Sequence, residues 1–520
     1  MSFGGTIGHF PPLCVQWFRP FIRMGHSLGN SATMHRTAIV FVLASAGCAT
    51  FLPGSRVDSS VAPSPAQQWM PPQPLPAPPP ATPDPALMAQ FQPGMQVTLQ
   101  QLLAYALSNN PQTRSAWLSA RAAAAGGASK RSTYYPQIDA SGQLSFSHQA
   151  FFGTNAATGQ SGFLPFELTT LTPGATLTWL LLDLGGRSAD VEEADRLLEA
   201  ANLFHDATIQ NLLLTVEQAY FQYQSAKALL SSSQVTVKEA QEAYRAAEER
   251  RRAGLATIAD VLQSKTQYSQ AILAEQQAEG NVAIVRGALA TSLGVPANLP
   301  VDVVDLPEKL DVQPLGESID KLIDRAQAQR PDLARARAQA MAASSHADSI
   351  RSRGLPKLSL TGNASRVFYL NSPFVDCCFS HTNAYGAALT LSIPVFNGFK
   401  DTSDLLQARE QAKAAVADAQ SVEQQVILQV WQSYQAVKTA EKQMGSAQDL
   451  LASARQSAEV ADGRYKAGVG SILDLLTAQT ALANARAQEV QARANWLLSI
   501  TSLAHDTGSL GPATNPEAKQ

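Results

Sequence analysis

The fold is decided by a nine-residue stretch that occurs twice, as Arg252-Ala253-Gly254-Leu255-Ala256-Thr257-Ile258-Ala259-Asp260 and as Lys466-Ala467-Gly468-Val469-Gly470-Ser471-Ile472-Leu473-Asp474. In both copies a glycine follows a long run of helix-favouring residues, and glycine suits the left-handed residue just past a helix end. A threonine or serine then stands three residues before an aspartate, which is a capping box with Asp in place of Glu. Each stretch predicts a tight hairpin from which a second helix returns.

The duplication extends over most of the chain. At a constant offset of 214 residues, Asp183 matches Asn397, Tyr220 matches Tyr434, Gly254 matches Gly468, Asp260 matches Asp474, Thr266 matches Thr480 and Gly294 matches Gly508. Earlier in each copy the offset is 220, as for Asn110-Pro111 and Arg330-Pro331. We therefore predict two repeats, residues 97–300 and 301–510, with a variable loop where the offset changes.

Long helices are predicted because no proline occurs in 174–295 or 395–511. The long helix should run from about Arg187 to Ala253, about 100 Å at 1.5 Å per residue. The returning helix should cover Ile258 to Ser292, and a helix before the strands Gln112 to Tyr134. Residues at a strict 3,4 spacing predict a coiled-coil seam; they are Ile209, Leu212, Val216, Ala219, Tyr223, Ala226, Leu230, Ser233, Val237, Ala240, Tyr244 and Ala247, with the residues 214 further on.

Alternation of apolar and polar residues predicts two strands before each long helix. It covers Gln137–Ser147, 175–181, 357–363 and 385–393, about ten residues at most in each segment. One apolar and one polar face suit a transmembrane β-strand, although a half-buried strand of a soluble sandwich has the same pattern. Four strands cannot close a barrel and open edges are not tolerated in lipid, so several chains must share one barrel.

The N-terminus has the three regions of a secretory signal. Basic residues after Met34 precede the apolar stretch 38–44 and the short residues Ser45-Ala46-Gly47-Cys48. We expect residues 1–47 to be the signal region, with the true start at Met34. Residues 48–96 should form a linker, since thirteen prolines lie between Pro53 and Pro93. Residues 511–520 are a C-terminal tail.

Composition excludes several classes of function. With 39 basic and 42 acidic residues the net charge is −3, which argues against nucleic acid as a partner. No catalytic motif is present, so we expect no enzyme, no cofactor and no metal centre. Cys377 and Cys378 with His381 could bind a soft metal, but an ordinary variable loop explains them as well. After the N-terminus, no apolar run reaches the ~18 residues of a spanning helix.

Taken together, these residues resemble the TolC-like outer membrane efflux proteins, or outer membrane factors. The resemblance rests on the paired prolines, the strand-closing Leu182-Asp183-Leu184-Gly185-Gly186-Arg187 and Phe396-Asn397-Gly398-Phe399-Lys400, and the Ala-Gly hairpins. It implies a mainly α fold with a membrane β-barrel part, in which a homotrimer forms a 12-stranded barrel and a periplasmic α-helical tunnel. The implied function is the passive outer membrane channel of a tripartite efflux system.

The resemblance also implies partners and site residues. Cys48 resembles a lipobox cysteine, which implies acylation, an anchor in outer membrane lipid and the branch that serves resistance-nodulation-division pumps in the inner membrane. A periplasmic adaptor should dock at Gly254, Leu255, Gly468 and Val469. Gate candidates at the same tip are Asp260, Glu459, Asp462, Arg464, Tyr465 and Asp474. Two alternatives remain: a lipid-anchored periplasmic coiled-coil scaffold without a pore, and an exit duct for type I protein secretion.

Overall fold

The computed structural model describes residues 61–68, 96–154, 159–305, 316–371 and 380–511. The helices are α1 (Leu99–Asn109), α2 (Pro111–Arg131), α3 (Gly186–Arg252), α4 (Ile258–Ser292), α5 (Ile319–Gln329), α6 (Pro331–Arg353), α7 (Lys400–Lys466) and α8 (Ile472–Asp506). The strands are β1 (Gln96–Val97), β2 (Gln137–Thr154), β3 (Ser161–Leu182), β4 (Asp302–Val303), β5 (Lys357–Asn371) and β6 (His381–Ser392).

The long helices form a layer four columns wide. Helices α3 and α7 have 67 residues each, and α4 and α8 have 35 each. Helices α2 and α4 both pack on α3, and α6 and α8 both pack on α7, so each long helix faces two shorter ones. Helix α3 also packs on α6 and α8, which joins the two repeats. Each column is either one long helix or two shorter helices that follow one another along its length. Across the layer, the order of the columns is α2 with α4, then α3, then α6 with α8, and finally α7.

The predicted seam is confirmed by burial. Every seam position in both repeats is buried or half-buried, including Val216 and its counterpart Val430, which are both fully buried. Removing such side chains from water is the main source of stability. The largest core cluster joins α1, α3 and α4 through Leu102, Ile209 and Leu289.

One antiparallel sheet carries the four long strands in the order β2-β3-β5-β6. The strands have 18, 22, 15 and 12 residues, so the prediction of about ten was wrong. The alternation stops near Ser147, but the backbone ladder continues to Thr154 opposite Ser161. Strand β6 ends at Ser392, one residue before the predicted end, because Pro394 lacks an amide donor.

Two short helices were missed by the sequence analysis. Helices α1 and α5 have 11 residues each and end two residues before Pro111 and Pro331. A capping box between Thr98 and Gln101 begins α1 and could have revealed it. In addition, the helix predicted over Gln112–Tyr134 ends at Arg131 and continues as a short 3-10 turn.

A latch joins the sheet to the long helix α3. The Arg187 guanidinium donates to the carbonyl oxygens of Leu180 (2.6 Å) and Leu181 (3.0 Å) and lies 4.9 Å from the centre of the Tyr134 ring. The Asp183 carboxylate accepts from the Arg187 backbone N–H. The direction in which α3 leaves the sheet is therefore fixed by side-chain contacts. None of the described helices combines the length and hydropathy needed to cross a membrane.

Candidate functional site

The two hairpins lie at the end of the helix layer remote from the sheet. Gly254 (φ +74°) and Gly468 (φ +79°) are left-handed, as predicted for residues that follow a helix end. The Leu255 N–H donates to the Arg250 carbonyl (2.8 Å) and the Gly254 N–H to that of Arg251 (3.0 Å), which is a Schellman motif. Leu255 and Val469 are each 71% exposed. The turn of each hairpin therefore presents an apolar side chain to its surroundings.

Asp260 and Asp474 cap the returning helices. The Asp260 carboxylate accepts from the Thr257 N–H (2.8 Å), and the Asp260 N–H donates to the Thr257 hydroxyl (3.2 Å). Asp474 and Ser471 form the same pair of bonds, at 3.3 and 3.1 Å. Hydrogen bonds from Ser471 lower the pKa of Asp474. The predicted capping boxes are thus present, while a gate role for either aspartate stays a prediction.

Tyr465 is held against the first repeat by Arg250. Its side chain is 6% exposed, and the Arg250 guanidinium lies 4.6 Å from the ring centre. Arg250 also donates to the Tyr465 carbonyl oxygen. Burial raises the pKa of the Tyr465 phenol, with a smaller contribution from Asp260 and an opposing one from Arg250. Arg250 and Tyr465 therefore join the C-terminal ends of α3 and α7, and the charge of Asp260 acts on the Tyr465 phenol.

Arg250 was missed because the sequence carries arginine at both corresponding positions, 250 and 464. Arg464 is exposed, and its charge helps to lower the pKa of Asp474. The neighbouring position is Arg251 in the first repeat but Tyr465 in the second. Only the packing of the two hairpins shows which arginine meets the tyrosine.

Glu459 and Asp462 are not equivalent. Asp462 is half-buried and pairs with Lys466 at 2.7 Å, whereas Glu459 is exposed. Both line a groove of about 310 Å³ between α3, α7 and α8. Across that groove Arg486 donates two hydrogen bonds to Glu239, at 2.8 and 2.9 Å. The charge of Asp462 is therefore balanced by Lys466, whereas that of Glu459 faces the surroundings. The role of both residues in a gate stays a prediction.

At the opposite end of the molecule, the sheet has two different faces. One face exposes large apolar side chains, among them Ile138, Leu144, Phe146 and Leu389. Cross-strand register places Ile138 opposite Leu177 and Leu360 opposite Leu389, so the apolar face continues across all four strands. The other face carries Thr172 and Thr176 on β3 and Asn363 on β5.

No cluster of three or more His, Cys, Asp or Glu side chains that could hold a metal ion is present in the described part of the chain. Cys48, Cys377 and Cys378 lie outside the described residues. His381 is described, and its ring lies 6.2 Å from that of Phe368.

Comparison with known proteins gives consistent matches. The profile of the outer membrane efflux protein family matches residues 102–295 and 322–509. Protein CyaE of Bordetella pertussis is 27% identical over 422 residues, 80% of this chain and 85% of that protein. The probable efflux pump outer membrane protein TtgC of Pseudomonas putida is 28% identical over 409 residues, 78% of this chain and 81% of TtgC. The solved outer-membrane channel OprN aligns with a TM-score of 0.69 at 20% identity, covering 80% of this chain and 90% of OprN.

Proposed function

The chain belongs to the outer membrane efflux protein family, and from this premise we propose that three copies form the exit channel of a tripartite efflux system. The fold class and the channel function predicted from the sequence are confirmed by the family match. The channel conducts passively, and the energy comes from a pump in the inner membrane.

The observation that carries the proposal is that the unpaired edges of the sheet and the outer helices of the helix layer lie on the same two sides of the chain. The edge strands are β2 and β6. The outer columns of the helix layer are α2 with α4 on the β2 side, and α7 on the β6 side. Joining unlike edges of successive copies is a head-to-tail contact that closes into a ring. Three copies give twelve strands, and in the closed ring the backbone N–H and C=O groups of every edge strand, which lipid cannot hydrogen-bond, are paired with a neighbouring copy.

Exposed apolar residues on the two outer columns support this ring. Leu273 (55% exposed) follows the start of α4 by fifteen residues, and Leu450 (43% exposed) precedes the end of α7 by sixteen. At 1.5 Å per residue both lie about 22–24 Å from the tip. Leu262 and Val460 also lie at similar distances from the tip, about 6 and 9 Å along their helices. A neighbouring copy would bury these side chains against one another.

The two faces of the sheet fit lipid outside and water inside. Exposed apolar residues such as Leu144 suit the hydrocarbon, and hydroxyl-bearing residues such as Thr172 suit a hydrated lumen. A scaffold without a pore has no use for a sheet with these faces. The proposal therefore places the sheet in the outer membrane and the helix layer in the periplasm.

At the periplasmic tip we place the adaptor on the hairpins that expose Leu255 and Val469. Apolar side chains surrounded by polar residues are typical contacts for a partner protein. The relatives named as efflux pump components support a pump as the partner, and the resemblance of Cys48 to a lipobox cysteine favours a pump of the resistance-nodulation-division type. The cluster of Arg250 and Tyr465 would hold the resting state closed by tying the two coils together.

An anchor at Cys48 is compatible with the path of the chain. Val61, thirteen residues later, is buried against Ala120 and Ala124, which lie about eleven and seven residues before the end of α2 that leads into the sheet. Thirteen residues span at most about 45 Å. The linker can therefore reach the periplasmic leaflet of the outer membrane from this point.

Single-channel recording tests the proposal. Protein extracted in detergent and added to a planar bilayer should give discrete conductance steps. A pore-free scaffold gives none, and that result would refute the channel. If the channel conducts, deletion of the gene followed by assays of drug sensitivity and of secreted polypeptides separates efflux from type I secretion.

A further inference from the structure

The two repeats preserve the register of the strands as well as the sequence. Counterparts lie 220 residues apart on β2 and β5, and 214 apart on β3 and β6. Gln137 lies opposite Thr178, and their counterparts Lys357 and Ser392 lie opposite each other in the same way. Every other pair of the β5–β6 ladder has its counterpart in the β2–β3 ladder at the same offsets. A contact made by one repeat can therefore be transposed to the other.

One joint between repeats is present within the chain. In it, β3 pairs with β5 and α3 packs on α6. In the proposed ring a second joint forms between copies, where β6 and α7 of one copy meet β2 and α2 of the next. These four elements are the counterparts of β3, α3, β5 and α6, in that order. The offsets therefore convert each contact of the internal joint into one pair of residues between copies.

The transposed strand pairs match in chemistry. The internal pairs Ala175–Ala364, Thr176–Asn363 and Thr178–Thr361 become Leu389–Leu144, Thr390–Gln143 and Ser392–Ser141, where the first residue belongs to one copy and the second to the next. Leu389 and Leu144 are 62% and 68% exposed in the single chain. Apolar side chains thus meet apolar ones, and each hydroxyl meets a hydroxyl or an amide, as in the internal joint. A slip of one residue would turn these side chains to the wrong face.

The helix contacts give a second match. Within the chain, the Ser349 hydroxyl of α6 donates to the Asp190 carboxylate of α3 (2.5 Å). Their counterparts are Ser129 on α2 and Asp404 on α7, so both residue types are kept. Ser349 is buried, whereas Ser129 is exposed. Lys400 binds the Oδ2 atom of Asp404, and the Oδ1 atom would accept the serine hydroxyl.

The exposure of α2 and α6 fits the same arrangement. The residues of α6 in line with Ser349 at helical spacing are buried; they are Ala338, Ala342, Ser349 and Ser352. Their counterparts on α2 are all exposed; they are Leu118, Ala122, Ser129 and Ser132. Gly186, where a Cβ would lie 2.3 Å from the Ser352 hydroxyl, has Lys400 as its counterpart, so the joint between copies is wider at that turn. A face that α3 covers in one repeat is thus bare in the other.

We propose that the joint between copies repeats the internal joint residue for residue. Strand β6 pairs with β2 of the next copy so that Leu389 lies opposite Leu144, and Asp404 of α7 accepts a hydrogen bond from Ser129 of the next copy. The partner that covers both free sides is therefore a second copy of this chain, held at one register. Three copies with two repeats each then close into a ring of six equivalent joints. This inference rests on the proposed channel function and adds the contacts that assemble the channel.

Disulfide formation between copies tests the strand register, in a chain that carries Cys377→Ser and Cys378→Ser. Opposite residues of an antiparallel ladder have Cα atoms about 4.5–5.5 Å apart, which a disulfide can span. Leu389→Cys combined with Leu144→Cys should therefore give a covalent oligomer on non-reducing gels after oxidation. Leu389→Cys combined with Ala140→Cys is the matched control, because Ala140 lies on the same face of β2 but about 13 Å away along the strand. The first pair should give at least tenfold more linked oligomer than the second.

A helix pair tests the same register far from the strands. A short reagent with two thiol-reactive groups should link copies that carry Ser129→Cys and Asp404→Cys. Ser129→Cys with Gln411→Cys is the control, since Gln411 is exposed and lies about 10 Å further along α7. The control should again give at least tenfold less linked oligomer.

The outcomes separate the joint from the channel. A conducting oligomer that links equally well or better in the control pairs, or links in no pair, overturns the register and leaves the channel function standing. Linking in both predicted pairs by a protein that does not conduct supports the joint and overturns the channel. A protein that neither conducts nor links in any pair overturns both.

Discussion

Replacing Arg250 with alanine should open the periplasmic tip. The substitution removes the cation–π contact with Tyr465 and the hydrogen bond to its carbonyl. Such contacts are worth about 0.5–2 kcal/mol and about 1.5–3 kcal/mol respectively. The lower ends of both ranges give about 2 kcal/mol per copy, or about 6 kcal/mol for three copies that open together. A shift from 1:99 to 99:1 needs about 5.5 kcal/mol.

Single-channel recording in planar bilayers measures this shift directly. The wild-type channel should rest in a low-conductance state, and Arg250→Ala should populate a high-conductance state for most of the record. Arg251→Ala is the matched control, because Arg251 is exposed and its guanidinium makes no contact of this kind in the described structure. Equal conductance of Arg250→Ala and wild type would refute the role of this link in closure.

Three further predictions follow from other parts of the structure. Leu273→Cys combined with Leu450→Cys should give a covalently linked oligomer on non-reducing gels, while either single variant stays monomeric after denaturation. Cys48→Ser should abolish incorporation of radiolabelled palmitate, and the mass of the mature wild-type protein should show acylation. Because the pKa of Asp474 is lowered in the fold, its cap stabilises the hairpin above the ordinary aspartate pKa, and this contribution is lost as the pH falls through the lowered value. The protection factor of the Ser471 amide, which is its exchange rate relative to the intrinsic rate at the same pH, should therefore fall in acid for the wild type, and Asp474→Asn should lower it at neutral pH.

The helices could be predicted closely because two independent signals agree at their ends. The returning helix Ile258–Ser292 matches its prediction, and the long helix is displaced by one residue. A capping box and a left-handed glycine mark the boundaries, and the absence of proline leaves nothing else to stop the helix. Because the chain is duplicated, each helix end can be predicted independently from both repeats.

The strand ends could not be predicted because the alternation of apolar and polar residues persists only while one face of the strand meets lipid and the other meets water. Beyond Ser147 the face that was apolar carries His148, and the polar face of β3 becomes apolar at Leu168. The ladder continues while the alternation does not. The Arg250–Tyr465 contact was also out of reach, since it depends on how two hairpins from different repeats lie against each other. Acylation of Cys48, the domain boundaries and the gate residues stay predictions.

Electrophoresis of outer membranes with and without boiling tests the central claim, that several copies share one barrel, most directly. Without boiling, the protein should migrate as a band at three times the mass of the chain, since a closed twelve-stranded ladder resists detergent. Boiling should convert that band to the monomer. A monomer in both lanes, from membranes that retain the protein, would contradict the shared barrel and favour the lipid-anchored scaffold.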